Sequence, residues 1–270
     1  MNKYLNGPFA VIMTPFKGGK VDEANFIKQV ERVNGTGISG FVVNGSTAEF
    51  PKLSLEEQMR LTELVIKNKE SNKKVIVSAC TACASDTLTI CNHAKKVGAD
   101  AVLVCPPYYF NYPTSEREEY YLTVANNSPL PVFLYNVPFF TQELELSLVM
   151  KLLNHKNVIG IKDSSANMKR IMHTLSVAPG DVTVMTGTDD ILIPALFAGC
   201  GGSMTALAAI FPEEVSELYE SFNSGNYERA REIQSSFMPK LRKADSVTFP
   251  FGYKRLMTEA SGIEMGDKSV

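Results

Sequence analysis

Five short stretches carry residues able to do chemistry. A lysine, Lys162, closes the apolar run of "NVIGIK" (157–162), and a tyrosine, Tyr135, closes "PVFLY" (131–135). Gly45, Ser46 and Thr47 make a small hydroxyl-bearing turn in "NGSTAEF", and Tyr108 and Tyr109 sit in "CPPYYF". Two acids, Asp189 and Asp190, follow in "TGTDD". An ammonium at the end of a buried run must be desolvated, which is costly unless it is paired or put to use.

Two readings of Lys162 follow. In the first, the lysine pairs with the adjacent Asp163 or snorkels to water. In the second, desolvation disfavours the charged form and frees the amine as a nucleophile. Such an amine condenses with a ketone to an iminium, which accepts electrons as a neighbouring C–C bond breaks or forms. A nearby tyrosine hydroxyl can move the required protons. The turn at 45–47, with its hydroxyls and backbone N–H groups, suits a carboxylate. A 2-keto acid satisfies both features.

The elements that must position these residues repeat along the chain. Apolar, β-branched runs predict strands at 9–13, 38–43, 74–78, 100–104, 131–135, 158–162, 181–185 and, more weakly, 201–204. Continuous rather than alternating runs imply a parallel sheet covered on both faces. Helical spacing fills the intervals. In "SLEEQMRLTELVIK", Leu61, Leu64 and Val65 share a stripe, and Ser54 with Glu57 is placed as a capping box. "KKVGADAVLV", "VNGTGISGFVV" and "LFAGCGGSM" each predict a helix that ends on glycine just before a strand. Eight strand–helix units in 270 residues predict an α/β protein, a (β/α)8 TIM barrel rather than an open doubly wound sheet.

In such a barrel the chemistry gathers at the carboxyl ends of the strands, where these residues fall. Alternation puts Lys162 on one face with Gly160 and Val158; if the lysine points inward, Gly160 leaves room beneath it. Tyr135, about one repeat earlier, should end the neighbouring strand. Toward the C-terminus, "YESFNSGNYERAREIQ" predicts two helices around a turn, and one more helix is expected near 250–260.

Composition narrows the class. Apolar content of 44% and charged content of 21% are ordinary for a globular enzyme. A net charge of −2 offers no electrostatic reason to bind nucleic acid or an anionic membrane. The N-terminal apolar run is too short for a signal peptide or a membrane helix, so a cytoplasmic location is expected. Five cysteines, an odd number in a long chain, predict free thiols.

"GFVVNGSTAEFPKLSLEE" (40–57) and "YNVPFFTQEL" (135–144) followed by "VIGIKDS" (158–164) resemble the two signatures of the dihydrodipicolinate synthase / N-acetylneuraminate lyase family. The similarity runs from about residue 5 to 260. The resemblance implies a barrel over 1–210 with C-terminal helices over 211–270, a shorter end than in most members. It implies a class I, Schiff-base aldolase or lyase acting on pyruvate and an aldehyde, with no cofactor and no metal, as a homodimer or homotetramer. By the same resemblance Lys162 is the Schiff-base lysine and Tyr135 the proton-transfer residue. Ser46 and Thr47, in the turn begun by Gly45, bind the pyruvyl carboxylate, and Thr47 also joins the proton relay. Tyr109 matches the relay tyrosine that the family inserts across a subunit interface.

The departures from the family pattern bear on substrate. The family's usual glycine before the motif glutamate is Ala48 here, a mild change in the turn. The dihydrodipicolinate synthases bind their aldehyde's carboxylate with an arginine two residues after the proline of Tyr-Asn-Val-Pro; here that residue is Phe140, which cannot form the bidentate pair. "GTDD" resembles instead the neuraminate lyase pattern that binds sugar hydroxyls, making Gly187, Asp189, Asp190 and, more weakly, Thr205 substrate-binding candidates. The same acids can equally be helix N-caps. The leading expectation is therefore a lyase like the N-acetylneuraminate lyases or the 2-keto-3-deoxy sugar acid aldolases. The alternative is 4-hydroxy-tetrahydrodipicolinate synthase, and a third is a keto-acid-binding barrel without turnover.

Other motifs carry less. "GTGISG" (35–40) fits G-x-G-x-x-G but precedes a strand, the wrong order for a dinucleotide fingerprint. Cys80 and Cys83 form C-x-x-C, followed by Cys91 and His93, but the spacing fits no common zinc pattern, and packing residues are the favoured reading. His155 and His173 read as solvated or capping residues.

Overall fold

The computed structural model describes residues 5–267. Eight parallel strands close into a barrel. They are β1 (Gly7–Val11), β2 (Gly40–Val43), β3 (Lys74–Ser78), β4 (Ala101–Val104), β5 (Val132–Asn136), β6 (Val158–Asp163), β7 (Thr183–Thr186) and β8 (Gly202–Thr205). Every residue of β2, β4, β5, β7 and β8 is buried, as continuous apolar runs require.

Helices α1 (Glu23–Val33), α2 (Leu55–Asn68), α3 (Ala84–Val97) and α4 (Thr114–Asn127) follow the first four strands. The next four are α5 (Leu146–Leu153), α6 (Met168–Val177), α7 (Leu192–Ala198) and α8 (Leu207–Ile210). Beyond them lie α9 (Pro212–Asn223), α10 (Tyr227–Asp245) and α11 (Phe251–Ser261). Among the described residues no helix is long and apolar enough to cross a membrane.

By internal contacts the chain divides into two compact units. Of the described residues, one holds 5–6 and Ile76–Ser203; the other holds Gly7–Val75 and 204–267. In the second unit α9 packs on β1, and α11 packs on α8 and α10.

Local chemistry sets the element ends. The Ser54–Glu57 capping box starts α2, satisfying two N-terminal N–H groups, and Leu61, Leu64 and Val65 line its buried stripe. Gly98 and Gly199 end α3 and α7 in the left-handed conformation, at φ 96° and 103°. The third junction differs from expectation. α1 ends on Asn34, whose side chain donates to the Asn68 carbonyl at 2.9 Å, and the left-handed residue is Gly35, one position later.

The first strand also ends two residues before the expected 13. The side-chain amide of Gln29 takes over both backbone groups of Met13, accepting from its N–H at 3.3 Å and donating to its carbonyl at 3.0 Å. Met13 stays buried but leaves the ladder.

Candidate active site

Lys162 and Tyr135 are brought together as the strand order predicts. In the β5–β6 ladder Tyr135 stands opposite Lys162, and Asn136 opposite Asp163. Both side chains are almost wholly buried, each 3% exposed. The Lys162 ammonium lies over the Tyr135 ring, 4.5 Å from its centroid.

Asp163 is not the lysine's ion-pair partner. Alternation sends it to the other face of β6, where it is fully buried. There its carboxylate accepts from Arg170 Nε at 2.9 Å, Asn136 Nδ2 at 3.0 Å and the Ser165 N–H at 2.9 Å. Arg170 also pairs with Glu143 at 3.2 Å and donates to the Leu144 carbonyl. The expectation of an Asp163–Lys162 pair is corrected accordingly.

The room beneath the lysine is also used differently from expectation. Phe133 stands opposite Gly160, and a Cβ on Gly160 would lie 2.2 Å from the Phe133 ring and 2.4 Å from the Thr183 carbonyl oxygen. The glycine thus admits an aromatic ring rather than leaving a void. The residue that clears space for Lys162 is Gly187. A Cβ there would approach Lys162 Cε to 2.6 Å and Ser164 Oγ to 2.0 Å. The Gly187 N–H donates to the Asp163 carbonyl at 2.7 Å, which fixes the backbone this close.

Ser164 escaped the sequence reading. Its Oγ is buried beside the lysine stem and makes no hydrogen bond among the described residues. A buried hydroxyl without a partner is an open donor and acceptor for a ligand oxygen. The only sequence signal was its place two residues after the lysine.

The two acids of "TGTDD" separate. Both lie in a short 3-10 turn, Asp189–Ile191, whose N-cap is Thr188 with no side-chain capping bond. Neither acid is therefore an N-cap. Asp189 is buried and Asp190 is exposed.

Tyr109 is placed outward, 90% exposed at φ 83°, with its ring edge-on to Phe110 at 4.9 Å. Within one chain it does not join Lys162 and Tyr135. Phe139 and Phe140, in the loop after β5, are exposed too, so a solvent-facing ring stands at position 140. Tyr108, half-buried, has its phenol pushed up to about 12 by burial.

All five cysteines are free thiols, and C-x-x-C does not act as a pair. Cys83 is exposed, while buried Cys80 neighbours Cys105 instead. Cys80 Sγ accepts from Ser78 Oγ and from the Cys105 N–H, each at 3.2 Å. Burial alone would raise the Cys80 thiol, but hydrogen bonds from Cys105 and Ser78 and the Lys162 charge hold it below the usual range. His155 Nδ1 accepts from the Asn157 N–H at 3.2 Å, a turn-stabilising role, and His173 is exposed on α6.

In the second unit Gly45, Ser46 and Thr47 follow β2, with Ser46–Ala48 forming one 3-10 turn. Thr47 is buried. Ala48 needs no glycine conformation, because the positive φ angles fall on Asn44 (60°) and Glu49 (59°) at the two ends of the turn. Thr205 is the last residue of β8, buried, with an Oγ1 that makes no hydrogen bond among the described residues.

The family described as "Dihydrodipicolinate synthetase family" matches residues 4–267. The 4-hydroxy-tetrahydrodipicolinate synthase of Citrifermentans bemidjiense is 36% identical over 233 residues, 85% of this chain and 79% of that one. Among solved structures, dihydrodipicolinate synthase from Aquifex aeolicus has a TM-score of 0.90 at 28% identity, covering 98% of this chain and 90% of that one. A 2-keto 3-deoxygluconate aldolase from Picrophilus torridus has a TM-score of 0.88 at 25% identity, covering 97% and 95%.

Proposed function

The chain belongs to the dihydrodipicolinate synthetase family, and from that premise we propose that it is a class I lyase that makes or breaks a C–C bond between pyruvate and an aldehyde. The observation that carries this reading is the buried Lys162 opposite Tyr135, with Asp163 committed elsewhere. Lys162 Nζ adds to the keto carbon of pyruvate, and loss of water gives an iminium. A proton leaves the pyruvyl methyl, the resulting enamine attacks the aldehyde carbon, and the new alkoxide is protonated. Tyr135 carries these protons, and water then hydrolyses the product iminium to restore the amine.

In this proposal Ser46 and Thr47 take the pyruvyl carboxylate and Thr47 joins the proton relay, as in the family pattern. Tyr109, exposed in one chain, completes the relay of a second copy in a homodimer or homotetramer. The enzyme works in the cytoplasm, without a cofactor. The test is incubation with pyruvate and borohydride, then mass analysis of the intact chain and its peptides. A reduced pyruvyl adduct on Lys162, absent from Lys162→Ala, is expected. Turnover without any adduct sinks the reading.

For the aldehyde, Phe140 in place of arginine and the buried Asp189 favour a hydroxylated chain over a carboxylated one. The second reading, condensation with aspartate semialdehyde, is favoured by the name of the Citrifermentans bemidjiense relative. A panel of sialic acid, 2-keto-3-deoxy sugar acids and aspartate semialdehyde divides the two. Phe140→Arg is expected to improve use of the carboxylated aldehyde; preference for that aldehyde already in the unaltered protein selects the second reading.

A further inference from the structure

The turn after β2 ends on a strained residue that is held from the far end of the chain. Glu49 is not glycine, yet it adopts φ 59° and ψ 38°. Such a conformation persists only when its surroundings over-determine it. Its side chain is 3% exposed, and Oε1 accepts from Lys254 Nζ on α11 at 2.6 Å. Lys254 is equally buried, and its ammonium lies 4.6 Å from the centre of the Phe16 ring. The other carboxylate oxygen meets Lys52 at 2.9 Å, a partner with a partly exposed side chain.

The rest of the turn is anchored nearby. Asn44, at φ 60°, donates to the Gln58 carbonyl at 2.9 Å and lies 3.3 Å from Thr62 Oγ1, both on α2. Thr14 Oγ1 donates to the Ala48 carbonyl at 2.7 Å. Ser46 and Thr47 lie between these fixed points. Of the anchors, only Lys254 comes from the C-terminal helices, and it meets a carboxylate inside the protein, where loss of one partner is most costly.

We infer that Lys254 is a positioning residue: through Glu49, it holds Ser46 and Thr47 in the arrangement that receives the substrate's carboxylate. The inference rests on the pyruvate reading above. With Lys254 removed, the Glu49 carboxylate keeps only Lys52 and turns toward water, and the left-handed residue relaxes. The turn between Asn44 and Glu49 then loses its shape. Capture of pyruvate weakens, while chemistry on pyruvate already bound is little changed.

Borohydride trapping of pyruvate by the full-length protein reads both effects without knowledge of the aldehyde. In Lys254→Met and Glu49→Gln, the half-saturating pyruvate concentration should rise about tenfold, and trapping at saturating pyruvate should stay within about twofold. Lys254→Arg, which keeps the charge, should recover most of the loss. Glu49→Gln keeps the side chain's shape and decides the matter if Lys254→Met does not fold. A merely structural clamp predicts a lower melting temperature with an unchanged half-saturating concentration, and that result overturns the inference alone. Absence of any adduct in the unaltered protein overturns the pyruvate reading and this inference with it.

Discussion

Tyr135 and Lys162 occupy the same level of two adjacent parallel strands, and the lysine's ammonium rests on the tyrosine's ring. The pairing follows from register. Parallel strands that pair residue for residue bring same-face side chains side by side, and burial then holds the pair away from water. Asp163, one residue on, points to the opposite face and meets Arg170 there.

Tyr135→Phe keeps the ring beneath the ammonium and deletes the hydroxyl. If that hydroxyl carries protons, exchange of the pyruvate methyl protons with D2O should slow by about 10²–10⁴-fold. NMR of pyruvate measures this directly, and the melting temperature should hardly move. Exchange at the unaltered rate removes Tyr135 from the mechanism.

Gly187→Ala tests the space around the lysine. The added carbon would stand 2.6 Å from Lys162 Cε and 2.0 Å from Ser164 Oγ. Overpacking of this kind costs about 1–3 kcal/mol, within reach of a folded protein. The trapped pyruvyl adduct should drop by about tenfold or more as the lysine is pushed off its position. A full yield would show that the side chain has another way out.

Arg170→Met leaves the Asp163 carboxylate buried beside Asn136 and Ser165 without its cation. Removing one member of a buried pair costs about 3–5 kcal/mol. Melting should fall by about 10 °C. Adding Asp163→Asn should recover part of that fall, because the uncompensated charge is then gone. Independent, additive losses would mean that the pair does not act as a unit.

Glu23 on α1 carries the pH prediction. Hydrogen bonds from Arg60, at 2.8 and 2.7 Å, hold its carboxyl below the usual range. A lowered folded-state value means that the unfolded chain binds the proton first, so the stabilisation is present above the ordinary glutamate value of 4.5 and fades as pH falls through the folded value. Both side chains are about half-exposed, so solvent screens the pair and the effect is small. Glu23→Gln should melt slightly below the unaltered protein at pH 7, and the gap should narrow as pH falls below 4.5. A gap that does not narrow in acid would assign the effect to packing.

Much of the architecture could be read from local pattern. Unbroken runs such as "FVV", "VIVS" and "VFLY" mark strands covered on both faces, and the Ser54–Glu57 capping box and the glycines after α3 and α7 mark helix ends. The pairing of Tyr135 with Lys162 was legible too, because a repeated strand–helix unit fixes which strands are neighbours. What escaped were side-chain choices made across the chain. Gln29 ends β1 by satisfying Met13, and Phe133 fills the space that Gly160 opens.

The sequence by itself determined the repeat, the identity of the lysine and tyrosine near the ends of adjacent strands, and the family to which the chain belongs. Tertiary structure alone decided that Asp163 pairs with Arg170 rather than Lys162, that Gly187 rather than Gly160 clears the lysine's path, and that Asp189 is buried while Asp190 is not. It also decided that Glu49 is held by Lys254, far along the chain. The reason is physical: hydrophobic period and helix-end chemistry act over a few residues, whereas an ion pair or a steric clearance depends on where distant backbone segments converge.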